Sequence, residues 1–138
     1  MGQPHPSSAD LVAVLRKELA ILERLRFAHR QLRVLLEVGD NRFLGVALDE
    51  LSEVVVELDL AERLRVDATE KFGSALHLRA APTLNDLIIR MPSGPGQLLR
   101  SLQQELDGLL DDVDTERRRV RTLSHARVTP RTGHRLTG

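Results

Sequence analysis

The chain has 138 residues, of which 41% are hydrophobic and 29% charged, and this composition indicates a folded domain and excludes an intrinsically disordered chain. It contains no Cys, which excludes disulfides, thiolate zinc sites and a Cys nucleophile. Its 20 basic and 20 acidic residues cancel, and only 2% of the residues are aromatic, so the predicted core is aliphatic.

The first eight residues, Met1 to Ser8, are polar and contain proline. They lack the basic and then apolar pattern of a signal sequence. No apolar run in the chain approaches the roughly 20 residues that a membrane-spanning helix needs. The sequence therefore predicts a cytoplasmic protein without membrane insertion.

The first predicted long helix begins near Ser8 and ends at about Val38. Its stripe residues recur at alternating steps of four and three, and this average of about 3.5 residues is the period of helices that pack along their length. The stripe consists of Leu11, Leu15, Glu18, Leu22, Leu25, His29, Leu32 and Leu36. Gly39 suits the left-handed position that closes a helix, and Asp40 or Asn41 is predicted to cap the next one.

Glu18 and His29 interrupt this apolar stripe with polar side chains. We favour polar seam residues at partly solvated positions, which fix the register of the helices. A catalytic Glu–His pair is the alternative interpretation. The two residues lie three helical turns apart, however, which is too far for both to act on one small substrate.

The second predicted long helix begins between Asn41 and Phe43 and ends near Phe72. Its stripe has the same spacing, which predicts an antiparallel hairpin with the first helix, and consists of Ala47, Leu51, Val54, Leu58, Ala61, Arg65, Ala68 and Phe72. The first helix is mostly basic and the second mostly acidic, so opposite charges would favour this pairing. The acidic residues of the second helix are interpreted as a solvated face, because the Glu-x-x-His repeat of di-metal bundles is absent.

A connector from Ala75 to Ala81 precedes a short predicted helix from Leu84 to about Arg90. Thr83 and Asp86 have the spacing of a capping box at its start. The run from Pro92 to Gly96 is predicted to end it.

The third predicted long helix begins near Gln97. Its stripe consists of Leu99, Leu102, Leu106, Leu109, Val113, Glu116, Val120 and Leu123, widened by Leu98 and Leu110. Pro130 is predicted to end this helix, so residues 1–128 form one helical domain and residues 129–138 a disordered basic tail. Residues 115–138 contain seven Arg against one Glu, which indicates either a solubilising helix end or, less favoured, a nucleic-acid contact.

Motifs of catalysis are missing from the sequence. It has no phosphate-binding glycine loop, no His-Glu-x-x-His and no Gly-x-Ser-x-Gly. Enzymatic activity, a cofactor and a metal site are therefore not expected.

Several short segments, in this order, resemble the FlgN family of flagellar export chaperones. They are the run Leu-Leu-Glu-Val-Gly-Asp at 35–40, Phe-Leu at 43–44, Leu-Ala-Glu-Arg at 60–63, Thr-Leu-x-x-Leu-Ile at 83–88 and Leu-Ser-His-Ala at 123–126. The resemblance covers residues 9–128. The chain differs from the family at Arg117–Arg119, where Asn is common, and at Pro130 and Gly133, which are predicted to stop the last helix early.

The stripes, turns and caps predict an all-α, elongated antiparallel bundle with three long helices and one short connecting helix. The resemblance implies a cytosolic chaperone that binds C-terminal segments of hook-associated junction proteins and delivers them to the flagellar type III export apparatus, with export-gate or ATPase components as further partners. The client-binding residues expected on the third helix are Leu102, Leu106, Leu109, Val113, Val120 and Leu123. The alternatives are a self-associating coiled-coil scaffold and an Arg-rich nucleic-acid binder, and the sequence leaves monomer and dimer open.

Overall fold

A computed structural model describes the backbone of residues 8–78 and 81–137 and the side chains of residues 8–78 and 81–126. These parts of the chain form four helices and no strand: α1 (Ser8–Val38), α2 (Leu44–Ala75), α3 (Leu84–Arg90) and α4 (Ser93–Thr137). The predicted all-α fold, with three long helices and one short connecting helix, is confirmed.

The first helix is the centre of the bundle, because α1 packs against both α2 and α4. Ion pairs define the directions of the helices. Arg24 contacts Glu57, and Glu18, earlier in α1, contacts Arg65, later in α2, so these two helices are antiparallel. Arg26 of α1 contacts Asp112 of α4, and Arg33, later in α1, contacts Glu116, later in α4, so these two helices are parallel. With 31 residues, α1 is a rod about 46 Å long.

The predicted stripes form the core. Seven of the eight stripe residues of α1 are buried, and Leu36 is half-buried. In α4 the stripe is buried from Leu99 to Glu116. The α1 residues Leu19, Ile21 and Ala28 are buried as well, although they lie outside the predicted stripe. A helix with neighbours on two sides buries a wider surface than a single heptad seam.

The turn between α1 and α2 closes as the glycine predicts. Gly39 has a φ of 73°, and the amide of Asp40 donates to the Leu35 carbonyl at 3.1 Å, which satisfies the end of α1. The predicted cap of α2 by Asp40 or Asn41 is wrong. The N-cap residue is Phe43, which makes no side-chain cap hydrogen bond, while Asp40 accepts the amide of Arg42 at 3.0 Å. The guanidinium and amide of Arg42 lower the pKa of Asp40.

The short helix α3 has the predicted capping box. Thr83 Oγ1 accepts the amide of Asp86 at 3.1 Å, and the Asp86 carboxylate accepts the amide of Thr83 at 2.8 Å. Leu87 and Ile88 are buried against the core. This helix therefore holds the start of α4 against the rest of the bundle.

Three predicted helix limits are wrong. The second helix continues past Gly73 to Ala75, and Gly73 lies inside it, in close approach to Pro82. The fourth helix begins at Ser93, before Gln97, since Pro95 lies in the first turn, where amides have no helical partner. It also continues through Pro130 to Thr137.

The backbone of residues 129–137 belongs to α4, whereas their side chains, and residue 138, lie outside the described part of the chain, so the division at residue 128 is not tested. A domain of residues 1–128 and a disordered tail of residues 129–138 therefore stay predictions.

Candidate partner-binding groove

Glu18 joins α1 to α2 inside the bundle. The side chain is 1% exposed, and its Oε1 accepts a hydrogen bond from Arg65 Nε at 2.7 Å. Burial raises the pKa of Glu18, and the charge and hydrogen bond of Arg65 offset part of that rise. The predicted seam role agrees with this position, but the predicted partial solvation is wrong, because Glu18 lies between two packed helices.

His29 is also buried and not partly solvated. Its Nδ1–H donates to the Leu25 carbonyl at 3.1 Å, and burial lowers the pKa of the imidazole. Glu116 and Arg117 of α4 are the charged groups that influence it. Glu18 and His29 lie 11 residues apart, or about 16 Å along α1. Each has a different partner, so the structure does not bring them together as a catalytic pair.

Glu116 joins α4 to α1. Its carboxylate lies 2.8 Å from Arg33 Nε, 3.4 Å from Arg30 Nε and 3.6 Å from Arg119 Nη1. Burial by itself would raise the pKa of Glu116, but the hydrogen bonds and charges of the arginines outweigh it, and the pKa is lowered. The basic residues of α1, which the sequence assigned to the seam with α2, therefore serve mainly the seam with α4.

The predicted client-binding residues of α4 divide into two groups. Four of them belong to the buried core of the bundle, namely Leu102, Leu106, Leu109 and Val113. Val120 and Leu123 are half-buried. Leu123 also lines a shallow hollow of about 430 Å³ with Arg33 and Glu37 of α1. Client binding through the first four would require α4 to leave α1, and their role stays a prediction.

An open apolar groove lies between α1 and α2, near the turn that joins them. It has a volume of about 480 Å³. Its apolar lining consists of Phe27, Val34 and Leu35 from α1, and Phe43, Val46 and Ala47 from the start of α2. Phe27 is 60% exposed and Phe43 is 55% exposed. Two of the three phenylalanines of the protein therefore face solvent on one surface.

Local structure explains why these side chains meet. Phe27 and Val34 are seven residues apart in α1 and so lie on the same side of that helix. The left-handed Gly39 reverses the chain within a few residues, which returns Phe43 to the end of α1. The guanidinium of Arg42 lies 5.5 Å from the centre of the Phe43 ring, a cation–π distance that helps to hold the ring.

Sequence reasoning missed this groove. It expected the partner surface on the third long helix, at leucine and valine residues, and assigned no binding role to the phenylalanines. The available signal was the seven-residue spacing of Phe27 and Val34 outside the heptad stripe. That spacing does not reveal whether a neighbouring helix covers the two side chains.

The groove continues toward the middle of the hairpin. A second hollow, of about 640 Å³, shares Phe27, Gln31 and Glu50 with the first and adds Glu23 and Glu53. The combined surface is apolar near the turn and acidic farther along.

Comparisons with known protein families, with curated proteins and with solved structures found no match. Within the described parts of the chain, no group of three or more His, Asp or Glu side chains is placed to hold a metal ion. None of the helices, over the residues described, is long and apolar enough to cross a membrane.

Proposed function

We propose that this protein is a binding protein that escorts a partner, and specifically a flagellar export chaperone. The observation that carries the proposal is the open groove between α1 and α2, with Phe27 and Phe43 exposed in it. Large aromatic side chains that remain in water on a folded domain favour a partner that covers them.

An amphipathic helix of a partner fits this groove in shape and chemistry. Helix-in-groove recognition places apolar residues, one turn apart, into a hydrophobic furrow. Complete burial of a Phe side chain contributes about 1.5–3 kcal/mol, and the half-exposed rings here have part of that still to gain. The groove alone would give reversible binding, as an escort that releases its partner requires.

The flagellar partner is the one implied by the resemblance to the FlgN family. The proposed client is a C-terminal segment of a hook-associated protein, kept unassembled in the cytoplasm and delivered to the type III export apparatus, including its gate or ATPase components. Binding and release suffice for this task, so no catalytic residues are needed. The half-buried Val120 and Leu123 of α4 are proposed as a second contact for the same client.

The test is binding of a hook-associated C-terminal segment to the full-length protein. Phe27→Glu and Phe43→Glu should each weaken binding at least about tenfold, because a carboxylate would replace an apolar anchor. Ile89→Glu is the matched control, since Ile89 is 69% exposed on α3, outside the groove. Circular dichroism should show equal helix content in all three variants. Capture by wild type that persists in both Phe variants would reject the groove as the client site.

Self-association is the second candidate function, and the exposed outer surface of α2 favours it. Apolar side chains there face solvent, namely Val55, Val56, Leu60, Leu64 and Val66. A scaffold without a client would form a concentration-dependent dimer in sedimentation experiments. The nucleic-acid alternative has less support, because Arg117 and Arg118 both pair with Asp114, and Arg119 contacts Glu116.

A further inference from the structure

The lining of the groove between α1 and α2 is apolar near the turn and carries charged side chains farther along. Its apolar half, near the turn, contains Phe27, Phe43 and Val46. The other half of the groove is lined by the charged side chains of Glu23, Arg24, Glu50 and Glu53, and Glu50 also borders the apolar half. On α2, Val46 and Glu53 are seven residues apart, which is two helical turns or about 10 Å.

The acidic half has carboxylates that the protein does not neutralise itself. The ion pairs of the other charged residues that line the groove show which charges are already neutralised. Arg24 pairs with Glu57 at 2.6 Å, and Arg30 pairs with Glu116 at 3.4 Å. Glu23 pairs with Arg26 at 2.8 Å.

Glu50 and Glu53 differ from these lining residues. Both are exposed, and no ion pair to either occurs among the described side chains. They lie one turn apart on the same wall of the groove. The groove therefore presents two negative charges that are available to a partner.

We propose that the occupant of the groove is a basic amphipathic helix. Its apolar residues, spaced one turn apart, would cover Phe27 and Phe43. A Lys or Arg on the same face, about two turns away, would meet Glu50 and Glu53. This inference rests on the proposed function and deepens it, because it states which helical segments the same groove accepts.

Charge complementarity selects a basic helix over an acidic one. Like charges that meet in an interface oppose binding, so an acidic segment is rejected even if its apolar face fits. Because Glu50 and Glu53 lie at the solvent-exposed rim, they should act mainly on partner choice and association rate, and their effect should be screened by salt.

The experiment measures binding of designed helical peptides to the full-length protein by fluorescence anisotropy. Each labelled peptide has about 20 residues and so spans ~30 Å, with Leu residues one turn apart and two Lys on the same face two turns away. One peptide has the Lys toward its N-terminus and another toward its C-terminus. A third and a fourth have Glu in place of Lys. Binding is compared between about 0.05 and about 0.5 M NaCl.

The expected result is a preference of about tenfold or more for one of the Lys peptides over its Glu counterpart at low salt, and a smaller preference at high salt. The double variant Glu50→Lys/Glu53→Lys should reverse the preference. Glu105→Lys/Asp111→Lys is the matched control, because it makes the same change in net charge on the exposed surface of α4. The control should keep the wild-type preference.

Other outcomes would overturn the inference in distinguishable ways. Equal affinity for the Lys and Glu peptides, unaffected by salt, would reject charge selection and leave the groove as a binding site. Dimerisation of the wild type that Glu50→Lys/Glu53→Lys abolishes would identify a second copy of this chain as the occupant. Selective binding of a Lys peptide, with no capture of any hook-associated segment, would support the basic helix and reject the flagellar client.

Discussion

The seam between α1 and α2 and the seam between α1 and α4 each contain a buried glutamate, but the pKa values of the two carboxylates shift in opposite directions. Glu18 has one arginine, Arg65, and burial raises its pKa. Glu116 lies near three arginines, which outweigh burial and lower its pKa. The two glutamates differ in their neighbours, because the carboxylate of Glu62 also raises the pKa of Glu18, whereas arginines dominate around Glu116.

This contrast predicts that the two seams respond differently to mutation and to pH. The buried carboxylate of the α1–α2 seam, Glu18, has one arginine partner, whereas three arginines share the buried carboxylate of the α1–α4 seam, Glu116. Removal of one arginine partner should therefore lower the free energy of unfolding more at Glu18 than at Glu116.

The largest effect is expected from removing the sole partner of Glu18. Arg65→Met leaves a buried, unpaired carboxylate and should lower the free energy of unfolding at pH 7 by about 3 kcal/mol, near the low end of the usual range because Arg65 is 29% exposed. Arg33→Met should cost less, because Arg30 and Arg119 still contact Glu116. Urea denaturation measures both.

A double variant separates the charge effect from a packing effect. Glu18→Leu/Arg65→Leu should recover most of the lost stability, because a buried ion pair and an apolar pair of similar volume are often equivalent. Equal losses for Arg65→Met and Arg33→Met would contradict the difference between the two seams.

An intermediate effect is expected from the pH dependence of stability. The lowered pKa of Glu116 means that its stabilising contribution is present above the ordinary value of 4.5 and is lost as the pH falls through its lower, folded-state pKa. Glu116→Gln should therefore cost about 1.5–3 kcal/mol at pH 7 and reduce the loss of stability in acid. Unfolding free energies measured from pH 7 to about pH 3 test this.

Protonation of Glu18 should change the stability in the opposite direction. Its raised pKa means that the folded protein binds a proton more readily than the unfolded chain, so protonation of Glu18 as the pH falls toward 4.5 favours the folded state. Glu18→Gln should remove this compensation and make the acid loss steeper than in the wild type. Parallel pH profiles for both variants would show that the two carboxylates do not differ.

The smallest effect concerns the glycines of the two helices that pack on α1. A Cβ at Gly73 of α2 would overlap the Pro82 ring, so Gly73→Ala should lower the free energy of unfolding by about 1–3 kcal/mol. A Cβ at Gly108 of α4 would meet nothing within 4 Å, so Gly108→Ala should raise it by about 0.5–1 kcal/mol. Thermal or urea unfolding of both variants gives the comparison, and a stable Gly73→Ala protein would show that Pro82 moves aside.

The heptad stripes could be predicted because burial in a bundle repeats with the helix period. Even the polar stripe residues Glu18, Arg65 and Glu116 occupy the predicted seam positions and pair with residues of neighbouring helices. The stripes predicted the hairpin of α1 and α2, but they did not predict that α4 also packs on α1, since each long helix offers an equivalent surface. For that reason, Arg26 and Arg33, which were expected to face α2, instead pair with Asp112 and Glu116 of α4.

The amino-acid sequence by itself determined the all-α fold, the apolar stripes, the glycine turn and the capping box of α3, because each depends on residues close together in the chain. Only the tertiary structure decided that α1 is central, that four of the expected client-binding residues are core residues, and that Phe27 and Phe43 share an open groove. The physical reason is that exposure beside a helical stripe depends on where the next helix lies, and distant parts of the chain set that position.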